Sequence, residues 1–285
     1  MRWRNFLLLA ACAALVSCSS TRFAYDNADT ALRYMASSYL DLDPVQAEEM
    51  RLRIVQLHEW HRAKELPAYA ALMRSASERA ARGITAEDVA WGLASVRARY
   101  RRFAAKAAED AAPVLATLAP DQIAALERKF AENNRKFEKE FLASDEEKRR
   151  RAQAHRMLDR FRDFAGDLTP DQEARIERFA FSHESHVALR FEDRRRWQQE
   201  VVAALRAHRP ATDLGHGLAE TFDQPERRRS EAFILADKAW DEDLGRLIVE
   251  LDGTLSAKQR ARVVGRLSDY AKDFAGLAGE KGEAA

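Results

Sequence analysis

Apolar positions along most of this chain recur at three- and four-residue steps, the spacing of one face of an α-helix. Met50, Ile54, Leu57 and His61 form one stripe, continued by Leu66, Tyr69 and Leu72 or Met73. Val89, Leu93, Val96, Tyr100 and Phe103 make a heptad-like seam. Ile123, Leu126, Phe130, Phe137 and Phe141 make another, with Asn133 and Asn134 where a seam residue belongs. Further stripes are Met157, Phe161 and Phe164, then Ile176, Phe179, Ala180, His183 and Val187. The last two are Phe233, Trp240, Leu244, Leu247 and Leu251, and Val263, Leu267, Tyr270, Phe274 and Leu277. No segment shows the two-residue alternation of a sheet.

The helix starts share a phrase. Leu168-Thr169-Pro170-Asp171-Gln172 has variants at Leu42-Asp43-Pro44-Val45-Gln46, Leu118-Ala119-Pro120-Asp121-Gln122 and Leu255-Ser256-Ala257-Lys258-Gln259, with a weaker cousin at Ile84-Thr85-Ala86-Glu87-Asp88. Thr, Ser or Asp at the cap accepts from a first-turn N–H, and Gln at the third position reaches back to the cap N–H. Proline at the first helical position loses no hydrogen bond. At Leu118 the cap is Ala119, so the side-chain half of the box is missing although Leu, Pro and Gln persist.

These signals predict an all-α protein, an elongated bundle or layered array of about seven to nine helices. Pro67 predicts a kink or break near Leu66. Ser144-Asp145-Glu146-Glu147 reads as a fresh helix start closing near Gly166, and the Leu168 helix is expected to run on through Trp197 and Val201 to about Ala207. Residues 210–225, with Gly215 and Gly217, are the least regular part, with room for one short helix. A further helix spans roughly Glu226 to Leu251, with Gly253 as its cap.

Composition adds little to the fold but narrows the function. The chain has 285 residues, 46% hydrophobic and 33% charged, which is globular. Met1-Arg2-Trp3-Arg4 followed by the apolar run Phe6 to Val16 reads as a secretory signal, too short to span a bilayer. Removing it takes away Arg2 and Arg4, leaving 45 Lys+Arg against 46 Asp+Glu, a net −1. That balance argues against a nucleic-acid partner. Of the two cysteines, Cys12 lies in the discarded segment, so no disulfide is expected. The expected organisation is a signal peptide over 1–17, a tether over 18–25, one helical domain over 26–278 with 26–143 and 144–278 as candidate lobes, and a frayed tail over 279–285.

Leu15-Val16-Ser17-Cys18 resembles the lipobox of bacterial lipoproteins. The resemblance implies lipidation of Cys18 after cleavage before it, and Ser19 resembles the outer-membrane sorting choice. Nearly the whole chain resembles a proteobacterial lipoprotein family filed as a domain of unknown function. The residues that carry this are Cys18-Ser19-Ser20, Tyr25-Asp26-Asn27-Ala28-Asp29, Trp60-His61-Arg62, Glu65-Leu66-Pro67-Ala68-Tyr69-Ala70 and Leu255-Ser256-Ala257-Lys258-Gln259-Arg260. It implies an envelope lipoprotein and no activity. The Leu168 and Leu255 phrases are also similar to the Leu-Thr-x-x-Gln boxes of Spy- and CpxP-type periplasmic chaperones and stress regulators. This chain departs from those in being longer, lipid-anchored and without a basic excess.

Candidate chemistry is sparse. His58-Glu59-Trp60-His61 and His183-Glu184-Ser185-His186 each place two histidines on one helix face, and Glu65 lies four beyond His61. His58, His61, Glu65, His183 and His186 are therefore the metal-ligand candidates. The competing reading, that of an interfacial histidine, is favoured for His61 by its place on an apolar stripe. Three arginine triplets, Arg149-Arg150-Arg151, Arg194-Arg195-Arg196 and Arg227-Arg228-Arg229, suit either anionic surfaces or solvated paired faces. Asp145, Glu146 and Glu147 precede the first by four residues, and Glu192 precedes Arg196 by four, which favours pairing. No catalytic residue or cofactor is expected. The expected role is that of a non-enzymatic outer-membrane-anchored protein, touching the membrane through Cys18 and acting by contact with envelope proteins. A periplasmic chaperone or stress-sensing module and, more distantly, a metal-dependent enzyme are the alternatives.

Overall fold

A computed structural model describes residues 25–142 and 145–279, and within them every regular element is a helix. Ten helices follow one another. α1 is Ala28–Leu40. α2 is one rod over 44–82, made of Pro44–Trp60, a π-helical turn His61–Glu65 and Leu66–Arg82. α3 is Ala86–Leu115, and α4 is Pro120–Phe137 with a π-helical turn Glu138–Leu142. α5 is Glu146–Ala165, α6 Pro170–Ser182, α7 Glu184–Arg206 and α8 Ala211–Asp223. A 3₁₀ turn Pro225–Arg227 leads to α9, Glu231–Asp252, and α10, Ala257–Gly279.

The count corrects the expected seven to nine. The helix expected from the Leu168 phrase to Ala207 is two helices, interrupted at His183, whose φ of −115° and ψ of 25° are not helical. Neither Pro nor Gly marks the break. Residues 210–225, read as the least regular part with room for one short helix, hold the 13-residue helix α8, which lies against α3. There Gly215 permits close approach, because a Cβ would sit 3.1 Å from Ala112 Cβ and 3.3 Å from Glu109 Cα.

Pro67 does not break α2. Its ring would clash with the carbonyl four residues back, and it has no N–H for that carbonyl. The chain widens one turn instead, so that Leu66 N–H donates to His61 O, five residues back. Gly83 and Gly166 close α2 and α5 at φ of 97° and 80°, where a side chain would be strained.

Two long antiparallel contacts organise the rest. α10 lies along the 66–82 part of α2, with Ser77 Oγ 2.9 Å from Ser268 Oγ and Tyr69 packed on Phe274. α8 lies along α3. One core joins Leu118, Ile123 and Leu126 to Val201, Val202, Leu205, Leu214 and Leu218. A second holds Leu158, Ile176, Phe179, Leu247 and Leu251, and a third Met50, Ile54 and Val114.

The four glutamine phrases are paired. Gln46 Nε2 donates to Thr117 O (3.0 Å), Thr117 Oγ1 (3.2 Å) and Gln122 Oε1 (3.2 Å), while Gln122 Nε2 returns to Gln46 Oε1 (2.6 Å) and reaches Asp41 O (2.8 Å). Gln172 and Gln259 repeat every bond, with Thr254 in place of Thr117 and Asp167 in place of Asp41. Each glutamine oxygen also accepts its own cap N–H. The fold thus uses one two-helix junction twice. This explains why Gln122 persists over the capless Ala119, since its amide is needed by Gln46.

Candidate functional site

Cys18, the expected lipidation site, lies outside the described residues. Of the other family-like residues, Tyr25, Asp26, His61, Arg62, Glu65 and Tyr69 meet around the π turn, whereas Gln259 and Arg260 lie at the Gln172 junction and against Asp252. Tyr25 hydroxyl lies 3.0 Å from His61 Nδ1. Arg62 Nη1 donates to Leu277 O at 3.3 Å, its Nη2 lies 3.4 Å from Asp26 Oδ1, and its guanidinium lies over the Tyr25 ring. His61 packs edge-on against Tyr69 and Phe103. Burial, reinforced by neighbouring His58, pushes the His61 imidazole down to about 4. Burial lifts the Tyr25 phenol to about 12. Both groups are therefore neutral at neutral pH.

The three-ligand set His58, His61 and Glu65 does not form. Glu65 is 0% exposed and faces two arginines, with Arg102 Nε at 3.0 Å and Arg99 Nη1 at 3.6 Å. His61 turns to Tyr25 instead. Among the described residues no group of three or more His, Cys, Asp or Glu is placed to hold a metal. This cluster ties residues 25–26, α2, α3 and α10 together.

His183 and His186 also turn to carboxylates rather than to each other. His183 Nε2 lies 3.0 Å from Asp243 Oδ2, and His186 Nε2 lies 3.1 Å from Asp237 Oδ1. The two aspartates are six residues apart on α9, about 9 Å along the axis. Histidines three apart on an unbroken helix would be separated by about half of that. The non-helical His183 therefore sets the register. His186 is sandwiched between Trp240 and Phe233. Burial, then the charges of His186 and Arg246, lower the His183 imidazole. The hydrogen bond from His186 holds the Asp237 carboxyl low.

Beyond Asp237 opens the most chemically distinctive concavity, a cleft of about 570 Å³ between α3, α7, α8 and the 225–237 segment. Six arginines line it, Arg97, Arg101, Arg190, Arg194, Arg228 and Arg229, against two acids, Asp193 and Asp237. Arg228 grips the largely buried Asp193 with both nitrogens, at 2.8 and 3.3 Å. Arg229 faces Asp193 and Asp237, and Arg97 is held by Asp241. Among the described residues, Arg101 and Arg190 have no ion pair or hydrogen bond. Aromatic rings form the floor: Tyr100 packs edge-on against Phe222, which packs on Trp197, and Trp197 Nε1 donates to Thr221 Oγ1 at 3.2 Å. A concave surface with surplus positive charge and low-dielectric walls concentrates anions.

The family model for a family of unknown function, DUF6279, matches residues 38–232, which is more than half of the chain. The chain belongs to DUF6279. The matched span contains the π turn, the Gln46–Gln122 junction and every arginine of the cleft. Phe233, Asp237 and Gln259 lie beyond it. Comparison with curated proteins and with solved structures returns no match for this DUF6279 chain.

The cleft was not legible in the sequence of this DUF6279 member. Tyr100 and Val96 occupy seam positions, yet they are 61% and 55% exposed. In the first arginine triplet Arg150 pairs with Glu146 at 3.7 Å and Arg151 with Glu147, as expected. The expected Glu192–Arg196 pair does not form among the described residues. Arg194 and Arg228–Arg229, from the other two triplets, meet in one cleft. Their separation in sequence leaves no local signal of that meeting.

Proposed function

We propose that this DUF6279 protein is a non-enzymatic binding protein of the bacterial envelope, anchored through lipidated Cys18 at the periplasmic face of the outer membrane. It works by receiving an acidic surface of another envelope protein in the arginine cleft. The observation that carries the binding part is the cleft itself, where three arginines are held by carboxylates while, among the described residues, Arg101 and Arg190 have no ion pair or hydrogen bond beside the aromatic rings. Aromatic and arginine side chains are the residue types that dominate protein interfaces. The signal and lipobox pattern before Ser19 supports the anchor.

The chaperone alternative loses the feature that raised it. Gln46, Gln122, Gln172 and Gln259 are all buried and bonded to each other in pairs, so the phrases offer a client no exposed amide.

A photo-crosslinking residue placed at Tyr100 in the anchored protein tests the reading in cells. The expected result is a discrete crosslinked partner, lost when Arg101 and Arg190 are both changed to Glu. Crosslinks from exposed Val45 but none from Tyr100 would move the working surface elsewhere. A Cys18→Ala protein that stays membrane-bound after signal processing would overturn the anchor.

A further inference from the structure

We propose that a second cleft, on the other side of the His186–Asp237 pair, binds a single-chain amphiphile with an anionic head. This cleft of about 500 Å³ lies among α5, α7, α9 and α10. Its volume is within the roughly 300–1,000 Å³ of small-molecule sites, and its walls have their dominantly apolar character. Met157, Phe161, Phe164, Trp240, Leu244 and Ile248 supply the apolar surface. Phe164 remains 38% exposed, although it lies on the apolar stripe of α5.

The polar groups argue for the head. Two guanidiniums, Arg160 and Arg190, reach this cleft, and among the described residues neither has an ion pair or hydrogen bond. The one acid lining it, Asp252, is already held by both nitrogens of Arg260, at 2.9 and 3.0 Å, and by Ile84 N–H at 3.1 Å. His183 and His186 are engaged by Asp243 and Asp237. The lining thus presents unopposed positive charge next to apolar surface, the complement of an acyl chain ending in a carboxylate or phosphate. An uncharged lipid would leave the arginines unanswered, and a free anion would leave the apolar walls wet. The proposal stands independently of the protein-contact reading, since it rests on different walls and shares only Arg190 with the arginine cleft.

The test uses the full anchored protein in envelope membranes with diazirine-bearing palmitic acid as the probe. Label is expected on the peptides carrying Met157 to Phe164 and Trp240 to Ile248. It should fall at least fivefold with the matching uncharged monoacylglycerol and with Arg160→Gln/Arg190→Gln. Unlabelled alkyl sulfates should compete, each added pair of methylenes lowering the half-competing concentration about tenfold. This competition needs no variant, so a misfolded mutant does not blunt the test. Equal labelling by the uncharged probe overturns the anionic head. Absence of label from these peptides, or competition independent of chain length, overturns the site.

Discussion

Gln172 and Gln259, from the first turns of α6 and α10, exchange amide hydrogen bonds in both directions, at 3.3 and 2.8 Å. Gln172 is 0% exposed. A buried primary amide needs partners for two N–H groups and one oxygen, and here every one is supplied by the partner glutamine, by a cap N–H or by Thr254. The phrase therefore acts as a junction between two helix starts as well as a cap.

Gln172→Ala is expected to lower stability by roughly 2–4 kcal/mol, because it removes several bonds and leaves the buried amide of Gln259 without its partner. Gln172→Ala combined with Gln259→Ala should cost less than the sum of the single changes, by at least about 1 kcal/mol. Gln46→Ala and Gln172→Ala share no partners, so their costs should add. Chemical denaturation of wild type, the three single variants and the two double variants checks this. Strict additivity within the Gln172–Gln259 pair would sink the junction reading.

The helix starts were legible because a cap is a local object: Asp43, Thr85, Thr169 and the glutamines sit within four residues of what they bond. The junction was not. Its partners are 76 and 87 residues apart, and the threonines that complete it, Thr117 and Thr254, lie just before the recognisable phrase. The break at His183 was invisible for another reason. No helix breaker in α6 or α7 marks it, and the carboxylates that His183 and His186 meet, Asp243 and Asp237, lie on α9, far along the chain. Tyr100 shows the limit of periodicity, since a seam position needs a partner helix to cover it, and over Tyr100 there is a cleft.

Burial of His61 should make the protein acid-sensitive in a defined window. Its imidazole titrates at an ordinary 6.5 in the unfolded chain and at about 4 in the folded one. The unfolded state therefore takes up more protons between those values. This contribution to stability is complete above pH 6.5 and fades as pH falls toward 4. His58 and His183 are lowered in the same direction and add to the slope. His61→Phe keeps the ring packing against Tyr69 and Phe103. Its melting temperature should fall less steeply than wild type from pH 6.5 to 4, and parallel curves would refute the assignment.

Glu65 offers a test of whether a buried charge stabilises. It is fully buried, yet Arg99 and Arg102 beside it are partly in water, and neither carboxylate oxygen has a partner in hydrogen-bond geometry. Desolvation of such a group commonly outweighs its Coulombic gain. Glu65→Leu should leave stability unchanged or raise it by about 1–2 kcal/mol, since both arginines can turn to solvent. A loss above about 2 kcal/mol in thermal or denaturant unfolding would mean that the two ion pairs hold α2 to α3.

The arginines of the cleft should separate into two groups. Arg228 neutralises Asp193, which is only 9% exposed and has Arg229 Nε at 3.6 Å as its other cation. Arg228→Ala should therefore destabilise by roughly 2–4 kcal/mol, somewhat below the loss for an isolated buried pair. Arg101 and Arg190 neutralise nothing in the described chain. Arg101→Ala and Arg190→Ala should change stability by no more than about 0.5 kcal/mol. Their effect should appear instead in anion binding, as a weaker and less salt-dependent uptake of an acidic peptide. Unfolding measurements paired with peptide binding at two salt concentrations distinguish the groups. If Arg101→Ala destabilised as much as Arg228→Ala, the cleft would be a structural network rather than a surface kept open for a partner.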